Sequence, residues 1–217
     1  MHERESGDLL WLSGAISFAL AGLGIAVGVF SLFLAEGPGS PDILTTLTSY
    51  TGQQQIFFTV AGLTVGAVLS VIGLAIFFSF LRHINYVSML ISLSLTIVAS
   101  ASFVAIAAFH YSLVIVAREG FTADTGLRLY SVAAHYFADV AGWTGIACFA
   151  FSTLLIGLIL RRRTGWKFIG YSGITIAIIA LLLFLLDSSY LFLIPFSLWL
   201  LCVAIAFVIN RKAIHQE

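Results

Sequence analysis

Apolar residues along this chain do not alternate with polar ones at a period of two or 3.6; they accumulate. Hydrophobic runs cover 9–34, 56–80, 86–117, 129–160, 168–186 and 190–209. A helix rises about 1.5 Å per residue, so roughly 20 apolar residues cross a hydrocarbon layer of about 30 Å. Each run therefore predicts a membrane-spanning helix. The third and fourth exceed that length by about a dozen residues, which tilt alone does not absorb. Their outer turns are expected to project beyond the hydrocarbon.

Between the runs the chain is punctuated. Gly37-Pro38-Gly39-Ser40-Pro41 ends the first helix, Asn85 and Asp124 can cap the third and fourth, and Ser188-Ser189 turns the chain before the sixth. Ile43, Leu44, Leu47 and Tyr50 fall at helical spacing and predict a short amphipathic turn on the membrane surface. Gln53-Gln54-Gln55 reads as a polar lead-in to helix two. Pro195 removes a backbone donor inside the sixth run and predicts a kink there. No internal repeat or separate soluble domain interrupts residues 1–217, so one all-α, polytopic helical bundle of about six spans is expected.

Composition supports the same class. Sixty per cent of the residues are hydrophobic and 9% charged, far below the usual quarter charged in soluble domains. A soluble fold could not cover that much apolar surface. The start of the chain carries Glu3, Glu5 and Asp8 against Arg4, and a long apolar run follows, so it is not expected to be a cleaved signal peptide.

Charge fixes an expected orientation. With the N-terminus inside, Arg4, Arg82, Arg161, Arg162, Arg163, Lys167, Arg211 and Lys212 lie on the cytoplasmic side, and Arg118 and Arg128 lie outside. Eight of the ten cations thus obey the positive-inside rule, and six spans return the C-terminus inside. The formal net charge is zero and the one basic run is accounted for by topology, so nucleic acid is not an expected partner. The partner is the lipid bilayer. A homo-oligomer or a larger membrane complex is left open.

Helices in lipid pack through small residues. Gly24–Gly28 in the first run and Gly62–Gly66 in the second are GxxxG pairs, and Ala138/Gly142 and Ala141/Gly145 repeat the idea in the fourth. Packing inside the bundle is the leading reading of these, homodimerisation the alternative. Cys148 and Cys202 read as small packing residues. Trp11, Trp166 and the tyrosines near the run ends suit an interfacial aromatic belt.

Four groups stand out as candidates for chemistry: His110, His135, Asp139 and Asp187, all expected near the outer leaflet. Ser92, Thr96, Ala99, Phe103 and His110 share one stripe of helix three; His135, Asp139, Gly142 and Thr153 share one of helix four. His135 and Asp139, four residues apart, can touch. Three readings compete. The leading one is a hydrogen-bonded interfacial cluster. The second is a zinc or iron site built from His110, His135 and Asp139 with Asp187, and the third a haem between His110 and His135. Metal or haem is not favoured, because no HExxH or CxxC motif accompanies these residues. Walker A, dinucleotide-binding and Gly-x-Ser-x-Gly motifs are also missing. The expected role is a small binding or accessory membrane protein with an outer-leaflet polar pocket. A membrane redox protein or enzyme and a small-solute transporter are the alternatives.

From His135 through Gly173 the chain reads HYFADVAGWTGIACFAFSTLLIGLILRRRTGWKFIGYSG. This stretch resembles a bacterial family of six-helix inner-membrane proteins known only as a domain of unknown function. The likeness rests on a polar helix start, a Gly-Trp pair, a Phe/Gly/Leu-rich run, an arginine cluster and a Gly-rich helix, over roughly a fifth of the chain. It implies a bacterial inner membrane and brings no activity.

Overall fold

The third helix shows how these elements begin. Asn85 precedes it, its side-chain oxygen accepts from the Ser88 amide at 3.2 Å, and its carbonyl accepts from Met89 at 3.1 Å. That is the N-cap arrangement, which satisfies donors that have no partner within the helix. In the computed structural model, which describes residues 2–36, 50–81, 85–118, 125–185 and 193–210, the helices are α1 (His2–Glu36), α2 (Tyr50–Leu81), α3 (Tyr86–Arg118), α4 (Thr125–Leu160), α5 (Lys167–Leu185) and α6 (Leu193–Ile209). The Gly37–Pro41 and Ser188-Ser189 turns, the amphipathic turn at Ile43, Leu44 and Leu47, and the Asp124 cap lie outside the described residues.

Each helix packs antiparallel on the next, and α6 returns to α1, so the six close into a ring. The register can be followed around it. Gly24 meets Gly62 and Gly66, Ser100 meets Ala67, Thr96 meets Ser152, Gly157 meets Ile174, Gly173 meets Trp199, and Gly22 meets Ser197. Both GxxxG pairs thus serve α1–α2 packing within the chain. Gly142 and Gly145 face α3, next to Ile106 and to Ser102 and Phe103.

The outside of the ring is as apolar as the inside. On α1, Leu9, Leu12, Ile16, Leu20, Leu23, Val27, Phe30 and Leu34 form one exposed stripe, and every other helix presents large exposed apolar side chains as well. Exposed hydroxyls on that surface return their hydrogen to their own helix: Ser94 to Leu90, Ser102 to Val98, Thr144 to Val140 and Thr175 to Tyr171, at 2.9–3.0 Å. Such groups need no water. Four helices, α1 to α4, are long and apolar enough to cross a membrane. With 19 and 17 residues, α5 and α6 are shorter and strongly apolar.

The described part of α6 begins at Leu193, directly after residues 186–192, which lie outside the described residues, so the kink expected at Pro195 falls at that boundary. One expectation is corrected. Trp11 and Trp166 do not sit in an exposed belt: they are 4% and 3% exposed and point inward. The glutamines at 53–55 are part of α2, which starts at Tyr50.

Unequal helix lengths divide the molecule. At the end carrying Arg161–Arg163 and Lys167, all six helices are present. Gly22 lies beside Ser197, so α6 stops about level with residue 26 of α1. Gly157 lies beside Ile174, so α5 stops about level with residue 146 of α4. Beyond those levels the described residues belong to α1 to α4, and 186–192, which join α5 to α6, lie outside the described residues.

Candidate functional site

The far end holds the two sequence candidates whose side chains are described, His110 and Asp139. His110 is 7% exposed, at the level where Phe109 of α3 packs against Phe137 of α4 with ring centroids 4.4 Å apart. It lies roughly 13 Å past the end of α5 by helical rise. Its Nδ1 is 2.9 Å from the Ile106 carbonyl oxygen. A carbonyl can only accept, so Nδ1 carries the hydrogen, and in the neutral ring Nε2 is the acceptor atom. The same stripe of α3 is buried throughout, with Ser92, Thr96, Ala99 and Phe103 all facing inward.

Asp139 is half-buried on α4. The side chain of His135 and the whole of Asp187 lie outside the described residues. Among the described residues no three His, Cys, Asp or Glu side chains gather as a metal site. Cys148 and Cys202 are free thiols, both half-buried, and Cys148 packs against the core.

Deeper in the bundle lies a second polar feature that carries no charge and gave no sequence signal beyond the stripe. Thr96 Oγ1 and Ser152 Oγ are 2.8 Å apart, and each also donates to or lies within 2.9 Å of the Ser92 carbonyl. Nearby, Ser70 donates to Gly66 and Ser100 crosses to the Ala67 carbonyl on α2 at 2.9 Å. Phe18, Phe149 and Trp199 close the space around these hydroxyls, leaving a cavity of about 20 Å³ that Ser70, Thr96, Ser152 and Thr153 line. That volume is about the requirement of one water molecule. The bundle is filled at this level.

The basic end is closed by aromatic rings. Trp11 stacks on Phe207 at 4.3 Å and meets Phe80 edge-on at 4.7 Å, while Trp166 lies 5.5 Å from Phe77 and 5.7 Å from Phe207. The Trp11 indole N–H donates to the Phe207 carbonyl, near the C-terminal end of the described part of α6. Trp199 donates to the Ile169 carbonyl at 3.2 Å. The Trp166 Nε1 has no partner among the described residues. Outside this plug, between α5 and α6, runs an apolar groove of about 240 Å³. Asn210 ties its mouth by donating to the Gly165 carbonyl at 3.1 Å.

Comparison of the chain with protein-family models, with curated proteins and with solved structures finds no match.

Proposed function

We propose that this chain is a six-span protein of a bacterial inner membrane, with both termini cytoplasmic, that acts as a small binding or accessory protein through the polar pocket around His110. The apolar outer surface of all six helices supports the spans. The described parts of α5 and α6, about 28 Å and 26 Å long, already reach about the hydrocarbon thickness. The clustering of Arg161–Arg163 and Lys167 at one end supports the orientation.

The observation that carries the role is the filled interior. Among the described residues, Phe18, Phe149 and Trp199 meet around a cavity of about 20 Å³, which leaves no room for a solute at that level. A carrier reading would need a wetter, more charged centre. What remains for recognition is the far end, where a buried imidazole is oriented by a backbone carbonyl.

That orientation also favours one second reading, a metal or haem ligand. Ligating histidines typically donate their other ring N–H to a carbonyl or carboxylate, as His110 does to Ile106. Purified protein decides between the two. A binding or accessory protein is colourless and free of stoichiometric metal. A Soret band, or one zinc or iron per chain lost in both His110→Ala and His135→Ala, establishes the ligand site instead. Orientation is tested by cysteine labelling in intact cells: positions 42 and 122 should react from outside, and 164 and 216 only after the membrane is opened. The reverse pattern overturns the topology.

A further inference from the structure

We propose that the groove between α5 and α6 at the basic end is a site for one anionic phospholipid, with the phosphate at the start of α5 and an acyl chain lying along α6. The groove is lined by Phe168, Ile169, Cys202, Ile205, Ala206 and Ile209, with the Gly165 carbonyl and the Asn210 amide at its mouth. Only its mouth is polar. From residue 202 to 210 it follows α6 for about 12 Å. α5 and α6 touch each other less closely than the other neighbouring helices of the ring, which is why the furrow exists.

Charge identifies the occupant. The turn from Arg161 to Lys167 has four cations and no carboxylate, and Arg162 and Lys167 are exposed. Among the described residues the carboxylates of the same end, Glu3, Glu5 and Asp8, belong to the first turns of α1, which does not form the groove, and Glu217 lies outside the described residues. Trp166 is the N-cap of α5, since its carbonyl accepts from the Gly170 amide at 2.9 Å. The amides of Lys167, Phe168 and Ile169 are therefore first-turn donors, and they open toward the basic turn. Gly165, at φ 85°, allows the chain to reverse tightly enough to bring the arginines and the helix start together. A phosphodiester with one negative charge suits that mouth, and an apolar chain suits the furrow below it. A zwitterionic lipid brings its own cation to a site that already has four. A soluble anion leaves the apolar furrow unused.

This inference rests on the reading that α5 and α6 face the bilayer, and it does not depend on which end is cytoplasmic. The full-length protein in nonionic detergent, loaded with a phosphatidylglycerol that carries a diazirine on its acyl chain, tests both. Crosslinks are expected on the segment 202–209, competed by unlabelled phosphatidylglycerol and not by phosphatidylcholine of the same chains or by inorganic phosphate. Each cation contributes about fivefold to anionic lipid binding, so Arg162→Gln with Lys167→Gln should weaken competition about 25-fold. Crosslinks spread evenly over Leu20, Val98 and Leu198 with no headgroup preference would mean annular lipid and overturn the site. Equal competition by phosphate alone would overturn it in favour of a soluble anion. Labelling of Ile179 and Leu198 but not of the groove would sink the lipid site alone. Labelling of α1 to α4 with none on α5 or α6 would sink the reading beneath it too.

Discussion

Replacing Gly62 by alanine should destabilise the protein, although alanine is the better helix former. A methyl group at this position would lie 2.6 Å from the Gly24 carbonyl oxygen, 2.6 Å from the Gly28 amide nitrogen and 2.9 Å from the Gly28 Cα. All three are backbone atoms, so no rotamer change relieves the contact. α1 and α2 must part locally by about 0.8 Å to reach an ordinary contact near 3.4 Å. Parting them loosens the reciprocal contacts of Gly24 and Gly28 with Gly66 and Leu63. Overpacking of this kind costs about 1–3 kcal/mol, against at most about 1 kcal/mol gained from helix propensity. The net expectation is a loss of about 1–2 kcal/mol.

Gly142→Ala is the control with the opposite sign. Among the described residues its methyl group would meet only Ile106 Cδ1, at 3.6 Å, so the propensity gain of up to about 1 kcal/mol should appear. Unfolding in mixed micelles with increasing sodium dodecyl sulfate, followed by tryptophan fluorescence, measures both variants. Trp11, Trp166 and Trp199 are buried and report on core opening. A Gly62→Ala protein as stable as wild type, or the two variants shifting together, would refute the claim that backbone contact sets the α1–α2 spacing.

The same assay checks three further expectations. Ser152→Ala removes the hydroxyl that links α4 to Thr96 and Ser92 and should cost about 0.6–1.7 kcal/mol, whereas Ser94→Ala on the lipid-facing side should cost close to nothing. Trp11→Phe removes the donor to the Phe207 carbonyl and should cost about 1–3 kcal/mol beyond the packing loss. Trp166→Phe removes a donor without a described partner, so it should cost less than Trp11→Phe; the reverse order would contradict the hydrogen-bond assignment. Pro195→Ala locates the start of α6: a change below about 0.5 kcal/mol is expected for a first-turn proline, which blocks no helical hydrogen bond, and a larger change for one inside a kinked helix.

What the sequence revealed and what it hid follow from the range of each signal. Asn85 caps α3 through atoms three and four residues away, and the α3 stripe is buried as its period requires; both are local rules. The paired GxxxG patterns were visible as small residues, but only the register of α1 against α2 shows that they are used on each other. Trp11 and Trp166 misled because an indole near a run end suits lipid headgroups and a packed helix end equally well. The choice was made by Phe77, Phe80 and Phe207, which come from α2 and α6. Ser152 offered no signal of its own, since serine is common in membrane helices and its partner lies 56 residues away. Closure of the ring by α6 on α1 depends on contacts nearly 200 residues apart, of which Trp11 with Phe207 is the clearest.

Helix length, more than any motif, distributes the chemistry. A continuous ring of six helices of equal length would bury the α3 and α4 stripes from end to end. The described part of α5 ends about level with residue 146 of α4, while α3 continues beside α4. Asp139 is half-exposed beyond that level, and His110 is buried near the Phe109–Phe137 contact between α3 and α4. At the other end the same two short helices pack loosely on each other and leave an apolar furrow under four cations. The described chain thus has a polar region at each end and an uncharged core between them, filled at the level of Phe18, Phe149 and Trp199. Through that level a ligand bound at one end would act on the other by movement of packed helices. The α1–α2 glycine contact, where methyl-sized changes are felt by backbone, is the part of that core least able to move.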